Sequence, residues 1–209
     1  MPRQVDRAQR RRDITAAAIR LLAERGACAL TLRELARQMG GSITLITHFY
    51  PTRALLLEGI TEQVIADYDA DLAGLEADLP PAPRLRVLLE WLLPLSEDSR
   101  KEELARILLL GGDADLPVQR FFDAMEVKMR SLLREHLVDL LPEQQVEPTV
   151  EALRVLTNGV VLSAVEHPGD WPASRQLALL DQLLLALGLG QVAGITPGHP
   201  RLRARRGDC

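Results

Sequence analysis

The stretch MGGSITLITHFYPTR, residues 39–53, constrains the fold more than any other part of the chain. A glycine pair interrupts an apolar-periodic segment, and Ser42 follows it as a residue that caps helices well. The chain then restarts at once and stops before Pro51, because the residue before a proline disfavours the helical conformation. The stretch therefore predicts a tight turn followed by a short helix over about 42–50.

Two further helices are predicted on the N-terminal side of this turn. Residues 7–25 place apolar side chains at the i, i+3, i+4 spacing of one helix face, and Gly26 follows as a natural helix stop. Thr31 is placed to cap a second helix, with Glu34 three residues later in the pattern of a capping box. Two short helices joined by a glycine turn form a helix-turn-helix, whose second helix can enter the DNA major groove.

Charge is distributed unevenly along the chain. Residues 1–53 hold ten arginines and four acidic residues, a net charge of +6, whereas residues 54–198 carry 11 basic and 24 acidic residues, a net charge of −13. A basic N-terminal segment, here residues 1–53 and called the head, followed by an acidic remainder is typical of a polyanion-binding module joined to a separate domain. A solvated charged surface without DNA binding would show a similar imbalance, so charge alone leaves both interpretations open.

The remaining sequence predicts an all-α fold. Leu and Ala are abundant, aromatic residues make up 3%, and no period-two apolar alternation bounded by hairpin turns occurs, so no sheet is expected. Proline and glycine turns separate helices expected over about 52–79, 83–94, 97–110, 115–141, 147–166 and 173–188. We therefore predict a DNA-binding domain over 1–53, a helical effector-binding and dimerisation domain over 54–190, and a disordered basic tail over 191–209.

Several classes of protein are disfavoured by the sequence. No apolar run reaches the ~18 residues of a membrane helix, and the N-terminus lacks the apolar segment of a signal peptide, so a cytoplasmic protein is expected. Cys28 and Cys209 are too few for a disulfide framework or a zinc site. No catalytic motif and no phosphate-binding loop occurs, so we expect neither an enzyme nor a cofactor or metal.

A family resemblance is carried by RRDITAAAIRLLAERGACALTLRELARQMGGSITLITHFYPTRALLL, residues 11–57. This segment resembles the DNA-binding domain of TetR/AcrR-family transcriptional regulators. The shared motifs are A-x-x-L-x-A-E-x-G at the end of the first helix, T-x-R-x-L-A at the start of the second, the G-x-S turn, and aromatic-Pro-[ST]-[KR]-x-x-L after the third. Residues 150–188 look like the final two helices with which family members dimerise.

The resemblance also implies which residues touch DNA. Matched position by position, the family's contacts fall on Thr31, Leu32, Arg33, Ser42, Ile43, Thr44, Leu45, Thr47, His48 and Arg53. The start of the recognition helix, residues 42–45, is where the family reads base edges, while Thr47 and His48 match positions that contact phosphates. The chain departs from the family at Gly41, where a small aliphatic residue is usual, and at Thr47, where Tyr is common.

The resemblance implies a regulator that represses promoters and is released from a palindromic operator by a small molecule. An all-helical protein–protein interaction module without DNA binding is the alternative, against which the basic head argues. A test of DNA affinity at two salt concentrations separates these classes, because binding through phosphates weakens steeply with salt.

An effector cavity is predicted between the helices of residues 52–141. These helices have more apolar faces than packing against the small head requires, so some of those faces can line a pocket. Its candidate lining residues are Trp91, Arg106, Gln119, Met125, Met129 and His136. Core packing is the simpler explanation for any one of the apolar members of this set.

A homodimer is predicted from the last two helices, which are apolar on nearly all sides and have little chain after them to cover both faces. The residues expected at the interface are Leu153, Leu156, Gly159, Val160, Ser163, Leu177, Leu180 and Leu184. Pairing with the same helices of a second chain would form a four-helix bundle with a two-fold axis, so the operator is expected to be palindromic.

Overall fold

The computed structural model describes residues 2–26, 29–110 and 116–195. Within these ranges the chain forms nine α-helices and no strand, so the predicted all-α fold is confirmed. The helices are α1 (Pro2–Arg25), α2 (Leu32–Gln38), α3 (Ile43–Phe49), α4 (Arg53–Glu76), α5 (Pro81–Trp91), α6 (Glu97–Leu110), α7 (Leu116–Leu137), α8 (Glu143–Glu166) and α9 (Ala173–Ala186). In the part of the chain that the structure describes, no helix is long and apolar enough to cross a membrane. Outside the described residues lie the expected turn at Gly111-Gly112, Cys28, and the tail from residue 196 to Cys209.

Two helices begin earlier than their sequence patterns predicted. α1 starts at Pro2 rather than near residue 7, because proline suits a first helical turn and the arginines that follow are good helix formers. α8 starts at Glu143 rather than near residue 147, and Pro148 lies inside it. Pro148 and Gln144, whose carbonyl loses its helical donor, are both exposed, so solvent can hydrate that carbonyl.

The segment after α9 is ordered further than predicted. Residues 191–195, expected to be disordered, belong to a series of turns in which Leu189 and Val192 are fully buried. The backbone N–H of Gly194 donates a hydrogen bond of 2.9 Å to Oδ1 of Asp181 in α9. Burial of these two apolar side chains favours an ordered segment despite its glycines. The composition of the tail as a whole did not indicate this local burial.

The described residues form two compact units. Unit 1 lies within residues 1–68 and 104–126, and unit 2 lies within 69–103 and 127–209, so the division falls inside α4, α6 and α7. The core of unit 1 joins α1, α2 and α3 to the start of α4 and to part of α7, and includes Ile14, Leu21, Leu35, Ile46, Leu56 and Phe121. Burial of such a side chain contributes about 1.5–3 kcal/mol, so these contacts hold the short helices in place.

Unit 2 has its own apolar core, which contains a buried cluster of charges. Arg86 and Glu90, one helical turn apart in α5, form a 2.8 Å ion pair between Nε and Oε1, and both are almost completely buried. Arg86 also pairs with Asp181 of α9. Because removing one member would leave a buried charge uncompensated, the cluster fixes α5 against α9.

Candidate nucleic-acid interface

Thr31 and Glu34 join the start of α2 to the end of α1. Thr31 Oγ1 accepts a 3.1 Å hydrogen bond from the backbone N–H of Glu34, as the capping pattern predicted. The reciprocal half of the capping box does not form, because the Thr31 N–H donates to the Ala29 carbonyl. The Glu34 carboxylate instead pairs with Arg25 at the end of α1 and with Arg37, whose Nε lies 3.0 Å from Oε2.

These guanidinium groups hold Glu34 in its charged form. The hydrogen bond from Arg37 is the largest cause, and with the charge of Arg25 it lowers the pKa of Glu34 from 4.5 to about 2. A carboxylate in the first turn of a helix also interacts favourably with the helix dipole. Glu34 therefore stays ionised at neutral pH and links α1 to the first helix of the motif.

The turn between α2 and α3 depends on the first of its two glycines. Gly40 has a φ of +64°, in the left-handed region that glycine adopts without steric cost, whereas the φ of Gly41 lies outside that region. Ser42 Oγ then accepts a 3.3 Å hydrogen bond from the N–H of Leu45 and caps α3 as predicted. A helix, a short glycine turn and a second capped helix are the parts of a helix-turn-helix.

Most of the side chains expected to touch DNA lie on the surface. Thr31, Arg33, Ser42, Ile43, Thr44 and His48 are exposed, and Leu32, Leu45, Thr47 and Arg53 are half-buried. Leu32 packs against the core of unit 1, and Thr47 Oγ1 donates a 3.3 Å hydrogen bond to the carbonyl of Thr44. Among the described residues Arg33 has no hydrogen-bond or ion-pair partner, so its guanidinium is available to a ligand.

Arg53 has a structural contact in addition to its expected role. Its Nε donates a 3.2 Å hydrogen bond to the carbonyl of Leu30, so the first residue of α4 is tied to the loop before α2. Thr52 Oγ1 accepts a 3.2 Å hydrogen bond from the N–H of Leu55 and caps α4. The contact to Leu30 joins residues 23 positions apart and has no signature in the local sequence.

The inner side of α3 is anchored by Ile46 and by Tyr50, which follows the helix. Ile46 is fully buried, and the Tyr50 ring, 3% exposed, lies against Gly59 of α4 and 5.2 Å below the guanidinium carbon of Arg11. Gly59 was not predicted from the sequence, because a glycine inside a helical pattern does not by itself separate a close approach from an open position such as Gly74, which has nothing within 4 Å of its Cβ. The exposed His48 ring meets Phe49 edge to face at 5.1 Å.

Two shallow grooves border α1 in unit 1. One of about 440 Å³ is lined by Arg7, Ala8, Arg11, His48 and Phe49. The other, of about 380 Å³, is lined by Arg10, Asp13, Ala16, Ala17, Arg20, Gln38 and Met39. The first groove lies beside the end of α3, and its described lining residues include bases but no acid, whereas the second groove includes a carboxylate.

Neither groove contains any of the six residues expected to line an effector cavity. Arg106, Gln119 and Met125 belong to unit 1, and Trp91, Met129 and His136 belong to unit 2. Both ring nitrogens of His136 are engaged within unit 2, Nε2 with Glu76 Oε1 and Nδ1 with the Leu132 carbonyl, each at 2.7 Å. His136 therefore joins α7 to α4, and the effector cavity stays a prediction.

The residues expected at a dimer interface divide into buried and accessible groups. Leu153, Val160, Leu180 and Leu184 are buried, Leu156, Ser163 and Leu177 are half-buried, and Gly159 is exposed. The buried group belongs to the core of unit 2 and cannot also contact a second chain. The sequence has apolar residues on both sides of α8 and α9, so it does not indicate which side of each helix packs on the core of unit 2.

The capped helices, the glycine turn and the accessible start of α3 on a basic head define a helix-turn-helix DNA-binding protein. The family of bacterial regulatory proteins named tetR matches residues 14–60. The HTH-type transcriptional regulator PksA of Bacillus subtilis (strain 168) is 30% identical over 177 residues, which cover 80% of this chain and 84% of PksA. The chain belongs to the TetR family of DNA-binding transcriptional regulators, as its sequence resemblance implied.

Solved structures share this fold over most of the chain. A transcriptional regulator from Rhodococcus sp. Rha1 superposes with a TM-score of 0.70 at 22% identity, over 90% of this chain and 99% of its own. A regulator from Saccharomonospora viridis, solved in complex with choline, superposes with a TM-score of 0.67 at 20% identity, over 85% and 96% of the two chains. The all-α architecture found here is therefore the fold of solved transcriptional regulators.

Proposed function

We propose that this regulator is a repressor that binds a palindromic operator as a homodimer and leaves it when a small-molecule effector binds. The observation that carries the proposal is the accessible start of α3, where Ile43 and Thr44 are exposed while Ile46 behind them is fully buried. Ile43 suits contact with a thymine methyl group, and Thr44 and Arg33 can supply hydrogen bonds to base edges.

The homodimer uses the apolar side of α8 and α9 that the core of unit 2 leaves uncovered. On α8, Val155, Gly159 and Leu162 share one face at i, i+4, i+7 spacing, and the two apolar side chains are 65% and 45% exposed. On α9, Leu185 is 63% exposed. Pairing these faces around a two-fold axis would cover them and present two recognition helices about 34–36 Å apart, or a multiple of that distance.

Release by an effector is supported by the choline complex of the Saccharomonospora viridis regulator, which has the same fold. The effector must bind more tightly to a conformer whose recognition helices are wrongly spaced for the operator. The resulting shift of the conformational equilibrium can be no larger than the difference in binding free energy between the two conformers. α4 runs without a break from unit 1 into unit 2, so it is the element that we assign to this coupling.

Selection of bound duplexes from a random DNA pool tests the proposed function. We expect enrichment of palindromic sequences at low salt and an affinity that falls with salt, with a slope of log affinity on log salt of about −0.9 for each neutralised phosphate. A protein–protein module would retain no duplex at either of two salt concentrations. Such a result would overturn the proposal.

The dimer is tested separately by the mass of the protein in solution. Leu162→Glu places a charge on the proposed α8 face and should yield monomers in analytical ultracentrifugation. Val127→Glu is the matched control, because Val127 is 70% exposed on α7, a helix that contributes no residue to the proposed interface, and it should leave the dimer intact. A wild-type monomer at micromolar concentration would contradict both the dimer and the palindrome.

A further inference from the structure

Among the described residues near the start of α1, two groups of exposed charges have different surroundings. Arg12 Nη2 donates a 2.7 Å hydrogen bond to Gln9 Oε1, and Gln9 Nε2 donates a 2.9 Å hydrogen bond to Asp13 Oδ1. This group is a local network that already contains its own carboxylate. Nothing in it calls for an external anion.

Arg7 and Arg11 form the other group, and their charges are not balanced locally. They are four residues apart, so they lie on the same face of α1, and both line the 440 Å³ groove together with His48. Among the described residues, neither arginine has an ion-pair partner and the groove lining includes no acid. Like charges at this spacing repel each other, and an anion in the groove would remove that repulsion.

The Arg11 side chain is also held in position. Its guanidinium carbon lies 5.2 Å from the centre of the Tyr50 ring, within the range of a cation–π contact. Tyr50 is itself buried and its backbone N–H donates a 2.8 Å hydrogen bond to the Ile46 carbonyl. The groove is therefore fixed relative to α3, the helix that we propose reads the operator.

From this arrangement we infer that the groove binds one phosphate group of the DNA backbone, with Arg7 and Arg11 as additional DNA contacts beside His48. A guanidinium can donate two parallel hydrogen bonds to phosphate oxygens, which suits a groove with two arginines. A phosphate contact fixes the register of the protein on the duplex and carries no sequence information. The inference rests on the proposed function and adds two residues of α1 that the family resemblance did not assign.

Salt-dependent binding of matched arginine variants tests the groove. The probes are a 30-base-pair duplex recovered from the random pool and an unselected duplex of the same length. We expect the double variant Arg7→Ala/Arg11→Ala to flatten the slope of log affinity on log salt by about 0.9, and to lose the same factor of affinity on both duplexes. Arg12→Ala removes one positive charge from the neighbouring network, as many as Arg7→Ala alone removes from the groove, and should keep the wild-type slope.

The single variant Arg7→Ala controls for an effect on folding, because Arg7, unlike Arg11, contacts no aromatic ring among the described residues. It should flatten the slope while leaving the melting temperature unchanged. Equal slopes for the Arg7 and Arg12 variants, or a wild-type slope for the double variant, would overturn the groove and leave the proposed function standing. Failure of the wild-type protein to retain any duplex would overturn the proposed function itself.

Discussion

The ring of Tyr50 occupies the space that a side chain at Gly59 would need. A Cβ atom at Gly59 would lie 2.5 Å from Tyr50 Cε1 and 2.7 Å from its hydroxyl oxygen, closer than such atoms approach in proteins. The ring is buried, follows the end of α3, and supports the Arg11 guanidinium. The position of α3 therefore depends on the absence of a side chain at Gly59 in α4.

Gly59→Ala should destabilise the protein and weaken DNA binding. Alanine would normally favour a helix interior by about 0.8–1.0 kcal/mol, but displacement of the Tyr50 ring adds an overpacking cost of about 1–3 kcal/mol. Urea unfolding measures the net loss. Gly74→Ala in the same helix is the control, because nothing lies within 4 Å of its Cβ and it should raise stability. A stability gain from both substitutions would show that the ring moves aside freely.

The head could be predicted in detail because its determinants are local in sequence. The caps at Thr31, Ser42 and Thr52 and the left-handed turn at Gly40 each involve groups within three residues of one another. Such patterns can be recognised in a single sequence. The extended start of α1 was missed because its apolar periodicity begins only later in the helix, although its arginines are favourable helix residues.

Contacts between distant segments were not predictable in the same way. The bond from Arg53 to Leu30 and the buried cluster of Arg86 with Asp181 join residues 23 and 95 positions apart. The inward side of α8 was also undetermined, since Val155 and Leu153 are equally apolar and only packing against other helices buries one of them. Sequence periodicity shows that a face is apolar, but not what covers it.

Substitutions of the two turn glycines should have opposite effects. A Cβ at Gly41 would make an ordinary contact of 3.5 Å with Leu45 Cδ2, so Gly41→Ala should stabilise the protein by about 0.4–1 kcal/mol through a less flexible unfolded chain. Gly40→Ala should destabilise it by about 1–2 kcal/mol, because an alanine at φ +64° is strained. Chemical denaturation of both variants measures the difference. Equal effects would place the left-handed residue elsewhere in the turn.

Acid should weaken the link between α1 and α2 through Glu34. Its pKa in the folded protein is lowered from 4.5 to about 2, so its contribution to stability is present above pH 4.5 and is lost as the pH falls toward 2. Glu34→Gln removes that contribution, and its melting temperature should approach the wild-type value as the pH is lowered through this window. Glu62→Gln, at an exposed position without an ion pair, is the control. A Glu34→Gln deficit that stays constant with pH would contradict the assignment.

Base-reading and backbone-contacting residues should separate by their effect on two kinds of DNA. Arg33→Ala and Thr44→Ala should weaken a selected duplex by roughly 1–3 kcal/mol more than an unselected one, because Arg33 is exposed on α2 and Thr44 is exposed on α3, the proposed reading helix. His48→Ala should weaken both duplexes equally. Arg53→Ala should do the same and also lower the melting temperature, since it removes the hydrogen bond to Leu30. Equal losses on both duplexes for all four would show that the reading face is assigned wrongly.

The turns after α9 should contribute to the stability of unit 2. Leu189 is fully buried, its backbone N–H donates a 2.8 Å hydrogen bond to the Leu184 carbonyl, and its own carbonyl accepts one from Val192. Leu189→Ala removes a buried side chain and should destabilise the protein by about 2–5 kcal/mol in urea unfolding. The neighbouring Gln191 is exposed, so Gln191→Ala should stay within about 0.5 kcal/mol of the wild type.

Amide exchange gives an independent measure of the same packing. The N–H of Gly194 donates to Asp181 in the folded protein, so it should exchange more slowly than an amide exposed to solvent, and Leu189→Ala should accelerate it. If Leu189→Ala and Gln191→Ala were equally mild and the Gly194 amide exchanged at the rate of an unfolded chain, residues 189–194 would not be packed on α9. The composition of the tail would then be the better guide, because its glycines and prolines favour an unfolded segment.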